Sequence, residues 1–130
     1  MAYEIDERRR CIFVTLRGDV TEWDVGVGLQ KLWADPTFNP QLPRLVDATE
    51  VTTASLSVTF LTALAWDFCQ ISTATVAFAA ASEEIYELFG FYRDQLHGVQ
   101  CRVFRDRAEA AEWLDISQHD ASKQSTVAEH

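Results

Sequence analysis

Cysteine, glycine and basic residues are all scarce in this chain, and each scarcity closes off a class of function. The 3 cysteines, Cys11, Cys69 and Cys101, lie far apart. Neither a C-x-x-C pair nor a Cys/His spacing suggests a zinc site. No metal is expected, and the cysteines read as buried free thiols, which pack well as small apolar groups. The 5 glycines form no phosphate-cradling loop, and no G-x-S-x-G marks a nucleophile. Only 11 Lys and Arg stand against 20 Asp and Glu, a formal net charge of −9. Such a surface repels nucleic acid, whose binding needs Lys and Arg to displace counterions. It also repels anionic membranes. The basic run Arg8-Arg9-Arg10 sits beside Asp6 and Glu7 and reads as a solvated hairpin tip.

Long apolar runs are missing too. Thr, Asp or Gln interrupts each one before a membrane-spanning length is reached. "MAYEIDERRR" lacks the apolar core of a signal peptide. The expectation is a soluble, cytoplasmic protein. What remains is ample for a core: 130 residues, 48% of them apolar, make one ordinary domain.

"AYEI" and "CIFVTLRG" alternate around a "DERR" turn and predict a hairpin ended by Gly18 and Asp19. Ile12, Val14 and Leu16 fall on one face of it, Cys11 and Phe13 on the other. Thr21 with Asp24 predicts a capped helix running to about Ala34, with Val25, Leu29 and Leu32 inward and Trp33 beside them. A loop punctuated by Pro36, Pro40 and Pro43 follows. "RLVDA" reads as a short strand bounded by a hydroxyl-rich loop, Thr49 to Ser57. The next helix carries Phe60, Leu61, Leu64 and Phe68 on its inner face. "TATVAFAAA" reads as a central buried strand. Ser82 caps a third helix, closed by Gly98 as its C′ residue. "VQCRVF" is a strand, and Asp106 with Glu109 opens a short helix in which Ala110, Trp113 and Leu114 face inward. The predicted fold is α/β: a small, open, mixed but mainly parallel sheet with helices, in the order ββαβαβαβα. It spans residues 1–115, and the polar stretch 116–130 reads as a tail outside it.

The hairpin, "GDVT" opening a helix, the "DPTFNP" loop, "LVDATEVT" and the closing "VFRDRAEAAEWL" together resemble the SpoIIAA-like branch of the STAS family, over about residues 3–114. The resemblance implies a regulatory binding module whose general shape is shared with Sec14-type lipid-binding domains. In the anti-sigma-antagonist branch, a serine after the equivalent of "LVDATEV" is phosphorylated at a helix N-terminus. Here Ser55 falls where that pattern has Asp and Leu56 where it has the phosphorylated Ser. The pattern's Gly is missing as well. The resemblance therefore implies the fold without the usual phospho-Ser switch.

Several residues are candidates for function. Asp47 is expected near the C-terminal end of a central strand, the edge where open α/β sheets bind ligands. Its other reading is a carboxylate that accepts hydrogen bonds from loop N–H groups. Thr52, Thr53, Ser55 and Ser57 are partner-facing candidates; Ser55 and Ser57 read equally as helix caps, and the two threonines as turn formers. Trp66, Trp23 and Phe91 lie opposite the core stripes of their helices and are interface candidates. They could instead lie flat against neighbouring elements. The small residues of "TATVAFAAA" face bulky Phe60, Leu64 and Phe89. That implies tight packing or, alternatively, a cavity for an apolar ligand. No cofactor is expected. The reading is a non-enzymatic regulatory or scaffolding module that binds a protein partner or a second copy of itself. The alternative is a carrier or sensor of a small lipid or apolar ligand.

Overall fold

A computed structural model describes residues 1–115; the tail expected over 116–130 lies outside the described residues. Five strands, β1 (Ala2–Asp6), β2 (Cys11–Thr21), β3 (Arg44–Ser55), β4 (Val76–Ala79) and β5 (Cys101–Phe104), alternate with α1 (Glu22–Ala34), α2 (Val58–Ile71) and α3 (Glu83–Gln95). A last helix, α4, covers 107–115. The strands lie side by side in chain order, β1-β2-β3-β4-β5. β1 is antiparallel to β2 and every later pair is parallel. The architecture is the α/β sheet expected from the sequence.

Strand order decides where the helices go. The chain always steps to the next strand in the same direction. Crossovers of one hand then place every connecting helix on one face. Residues of α1, α2 and α3 accordingly share a core cluster with Leu16, Val76, Phe78 and Val103. α4 covers the other face, where Ala110 and Leu114 meet Cys11, Leu45, Ala77 and Ala79. β4 is buried along its whole length. Its pleat sends Val76 and Phe78 to the three-helix side and the two small alanines to α4, which lets that helix approach closely.

Local signals hold the helix starts. Thr21 and Asp24 form a reciprocal capping box, with Asp24 N–H donating to Thr21 Oγ1 at 3.2 Å and Thr21 N–H to Asp24 Oδ2 at 3.2 Å. Ser57 and Ser82 cap α2 and α3, at 3.1 Å and 3.2 Å. Asp106 accepts from Glu109 N–H at 2.8 Å.

Three expectations need correction. The hairpin's second strand does not end at Gly18 and Asp19, and Thr49 to Ser55 is not a loop. β2 continues to Thr21 and β3 to Ser55, paired in parallel as far as Thr21↔Ser55. β-branched Thr and Val suit a pleated strand once a partner is present. β3 carries an extra residue twice, where Thr15↔Asp47 is followed by Arg17↔Glu50 and where Gly18↔Val51 is followed by Asp19↔Thr53. Bulges of this kind absorb residues that a strict alternation would put on the wrong face. The third helix also ends earlier than expected. Leu96 is its C-cap, and Gly98, at φ +72°, turns the chain two residues beyond.

Candidate functional site

The side of the sheet beneath α1, α2 and α3 holds a partly open cavity of about 100 Å³. Val14, Leu16 and Val46 form its floor together with Val76 and Phe78 of β4. Leu29, Leu64, Phe68 and Phe89 close it from the helices. The space exists because Leu29, Leu64 and Phe68 arch over a floor in which three of the five residues are valines. The tight packing expected behind "TATVAFAAA" holds on the α4 side, where alanines meet Ala110 and Leu114. On this side Phe78 stacks on Phe89 with ring centroids 4.5 Å apart, yet both rings also line an open space. Leu64 and Phe89 do line the space, while Phe60 is not part of its wall. At the rim, Met1 lies on the backbone of Gly28; a Cβ there would sit 2.8 Å from the Met1 sulfur.

Arg44 stands out in this wall. It is only 5% exposed, because the strand's pleat puts it on the same face as Val46, toward the helices. Its backbone N–H donates to Thr75 O at 2.9 Å, which fixes the residue between β2 and β4. The guanidinium lies over the Phe68 ring at 4.5 Å and the Phe38 ring at 5.5 Å. Phe38 comes from the proline-punctuated loop, which folds back over the strand. The buried Ser72 hydroxyl holds that loop by donating to Pro40 O and accepting from Ala74 N–H at 3.0 Å. Nε and Nη2 of Arg44 are buried with no hydrogen-bond partner among the described residues, and so is Nε1 of Trp33. Both residues line the cavity. Burial pushes the Arg44 guanidinium down to about 10, which leaves it a cation at neutral pH. Burial pushes the neighbouring Tyr92 phenol up, so that it stays neutral. Buried unpaired cations are costly and rare. In the sequence an arginine opening a strand after Pro43 looks like a solvated boundary residue; the fold buries it.

Asp47 is elsewhere. It faces α4, inside β3 rather than at a strand end. Oδ1 accepts from Thr49 N–H at 3.0 Å and Thr49 Oγ1 at 2.7 Å, and Arg107 Nη1 stands 3.8 Å from Oδ2. The carboxylate thus stabilises the first bulge of β3. The strands follow chain order with no reversal, so Asp47 does not lie at a topological switch point. Thr52, Thr53 and Ser55 are exposed strand residues rather than turn formers or caps. Thr53 Oγ1 donates to Asp19 Oδ1 across to β2. Ser57 caps α2 and its N–H donates to Glu22 Oε2 at 2.8 Å, tying the starts of α1 and α2 together. Trp66 and Trp23 are 67% and 78% exposed. Phe91 is half-buried and packs against the main core, which corrects its outward placement. Among the described residues no group of three His, Cys, Asp or Glu could hold a metal ion, and no helix is long and apolar enough to cross a membrane.

No protein-family model matches the chain, and no curated protein matches it. In three dimensions it is similar to the crystal structure of an uncharacterized protein of the DUF3478 family, with a SpoIIAA-like fold, from Shewanella loihica PV-4. The two are 18% identical with a TM-score of 0.60, over 87% of this chain and 90% of that one. The fold of this chain is therefore SpoIIAA-like, as the resemblance of its motifs implied.

Proposed function

We propose that this chain works by binding rather than by catalysis, and that it carries or senses a small apolar molecule held between the sheet and helices α1 to α3. The observation behind this reading is the cavity of about 100 Å³ with its almost wholly apolar wall. Interiors of small domains are close-packed, and voids larger than a water molecule are few. Apolar cavities of about 150 Å³ stay dry and bind benzene. The volume here suits a small ring or a short acyl chain better than a long lipid. Hexan-1-ol, followed by thermal denaturation, tests the reading. A ligand at 100 times its Kd adds about 2.7 kcal/mol of stability, a clear rise in Tm. The Val46→Phe protein, with a phenyl ring projecting into the space, should lose that rise. An unchanged Tm in the wild type, or the same rise in Val46→Phe, refutes the proposal.

A second reading has an observation of its own. Trp66 and Val58 project from the outer face of α2, both more than half exposed, and exposed aromatics are enriched where protein surfaces meet. On this reading the face joins a second copy of the chain. Light scattering tests it: the wild type should show a dimer mass that Trp66→Ser reduces to a monomer. A monomer in both proteins at all concentrations removes it.

A further inference from the structure

We propose that the cavity takes the tail of a small carboxylic acid, with the Nε–Nη2 edge of Arg44 as the anchor for its carboxylate. The proposal rests on reading the cavity as a ligand site and adds the chemistry of the ligand's head.

The unpartnered groups choose the chemistry. Elsewhere, arginines find carboxylates at the surface: Arg17 with Glu50 at 2.8 Å, Arg105 with Glu83 at 2.8 Å, Arg107 with Asp47 at 3.8 Å. Arg44 has no such partner among the described residues, although the chain is rich in acids. Its unpartnered nitrogens are Nε and Nη2. Those two N–H groups lie parallel on one side of the planar guanidinium. That edge matches both oxygens of a carboxylate in a bidentate pair. Trp33 Nε1, also buried, unpartnered and in the same wall, is a donor that accepts nothing. Two donor groups and no orphaned acceptor call for an acceptor-rich ligand, and a lone cation calls for a single negative charge. A phosphate monoester would bring a second charge and a third oxygen, for which the Nε–Nη2 edge of one guanidinium offers no further N–H. Apart from the Tyr92 phenol and the Met1 thioether the rest of the lining is hydrocarbon and aromatic ring, so the remainder of the ligand is apolar and short.

Side chains now cover the Arg44 edge, so a carboxylate reaches it by a rotamer change in the wall. Met1, flexible and unbranched, lines the same cavity and suits such an adjustment.

The test pairs ligands that differ in the head group alone: hexanoate and hexan-1-ol, titrated calorimetrically at pH 7.5 into the wild type, Arg44→Met, Arg44→Gln and Trp33→Phe. A charge-assisted hydrogen bond predicts that the wild type binds hexanoate at least about tenfold more tightly than the alcohol. Arg44→Met and Arg44→Gln should each abolish that preference while moving the alcohol's Kd by less than about threefold, and Trp33→Phe should weaken hexanoate alone. Equal or tighter binding of the alcohol by the wild type overturns the anchor and leaves the cavity reading standing. So does an acid preference that survives in both Arg44 variants. Binding of neither molecule overturns both.

Discussion

Arg44→Met should make the protein more stable, an unusual expectation for a side chain that is 5% exposed. Arginine burial here is a cost. The fall of its pKa from 12.5 to about 10 corresponds to roughly 3 kcal/mol against the charged folded form. The sign follows from linkage. Below about pH 10 folded and unfolded chains both carry the charge and the whole cost is present; it is relieved only as pH climbs from about 10 toward 12.5. A separate route gives a similar size, since each buried unmade hydrogen bond costs about 1–3 kcal/mol and two nitrogens are orphaned. The stacking on Phe68 at 4.5 Å works the other way and contributes about 2 kcal/mol when desolvated. Methionine keeps the apolar stem and drops the charge. The net expectation is a gain of about 1 kcal/mol, or a rise in Tm of roughly 4 °C, measured by urea and thermal denaturation at pH 7. A loss of 1 kcal/mol or more would refute the reasoning, because it would mean that the guanidinium is well satisfied where it lies. Stability gained by removing a group that binds ligand is a common trade-off.

Other outcomes follow from the same contacts. Thr21→Ala removes the α1 cap and should cost about 1 kcal/mol in urea denaturation. Hydrogen bonds from the Thr21 hydroxyl and backbone hold Asp24 below the usual carboxylate range. Its contribution is therefore complete above about pH 4 and lost as pH falls through its lower folded value. The Tm difference between wild type and Asp24→Asn should be clear at pH 7 and shrink as pH falls below about 4. Burial pushes the Cys11 thiol up to about 11, so a thiol reagent at pH 8 should leave Cys11 unlabelled in the native protein, as mass spectrometry of its peptide would show. At concentrations where the wild type is a monomer, Trp66→Ser should move stability by less than about 0.5 kcal/mol, as befits a surface position.

Features set by neighbours in sequence were legible. Thr21 with Asp24, Ser57, Ser82 and Asp106 announced their helices because a cap is made within a few residues. The alternation of Ile12, Val14 and Leu16 gave the correct face of β2. Features set by distant partners were not. Thr49 to Ser55 looked like a loop because hydroxyls favour turns locally. The decision lies with Arg17 to Thr21, more than thirty residues away, whose backbone offers a parallel ladder. Asp47 was noticed for its charge and turned out to serve a bulge. Trp33 was legible only as a neighbour of the inner face of α1, and Arg44 only as the first residue of a strand, because the burial of Arg44 depends on a loop that folds back and on the α2 end that pins it through Ser72 and Pro40. The cavity was legible only as one of two alternatives. Alanine and valine in β4 predict close approach or space equally well until the helices above them are placed.

Xenon under pressure tests the central claim most directly, since it needs room and apolar walls and nothing else. Crystals of the protein derivatised with xenon should show an anomalous peak between Phe68, Phe78 and Leu29, and Val46→Phe crystals should lack it. Xenon bound only at the molecular surface, with those side chains in van der Waals contact, would contradict the claim that this fold keeps an interior site.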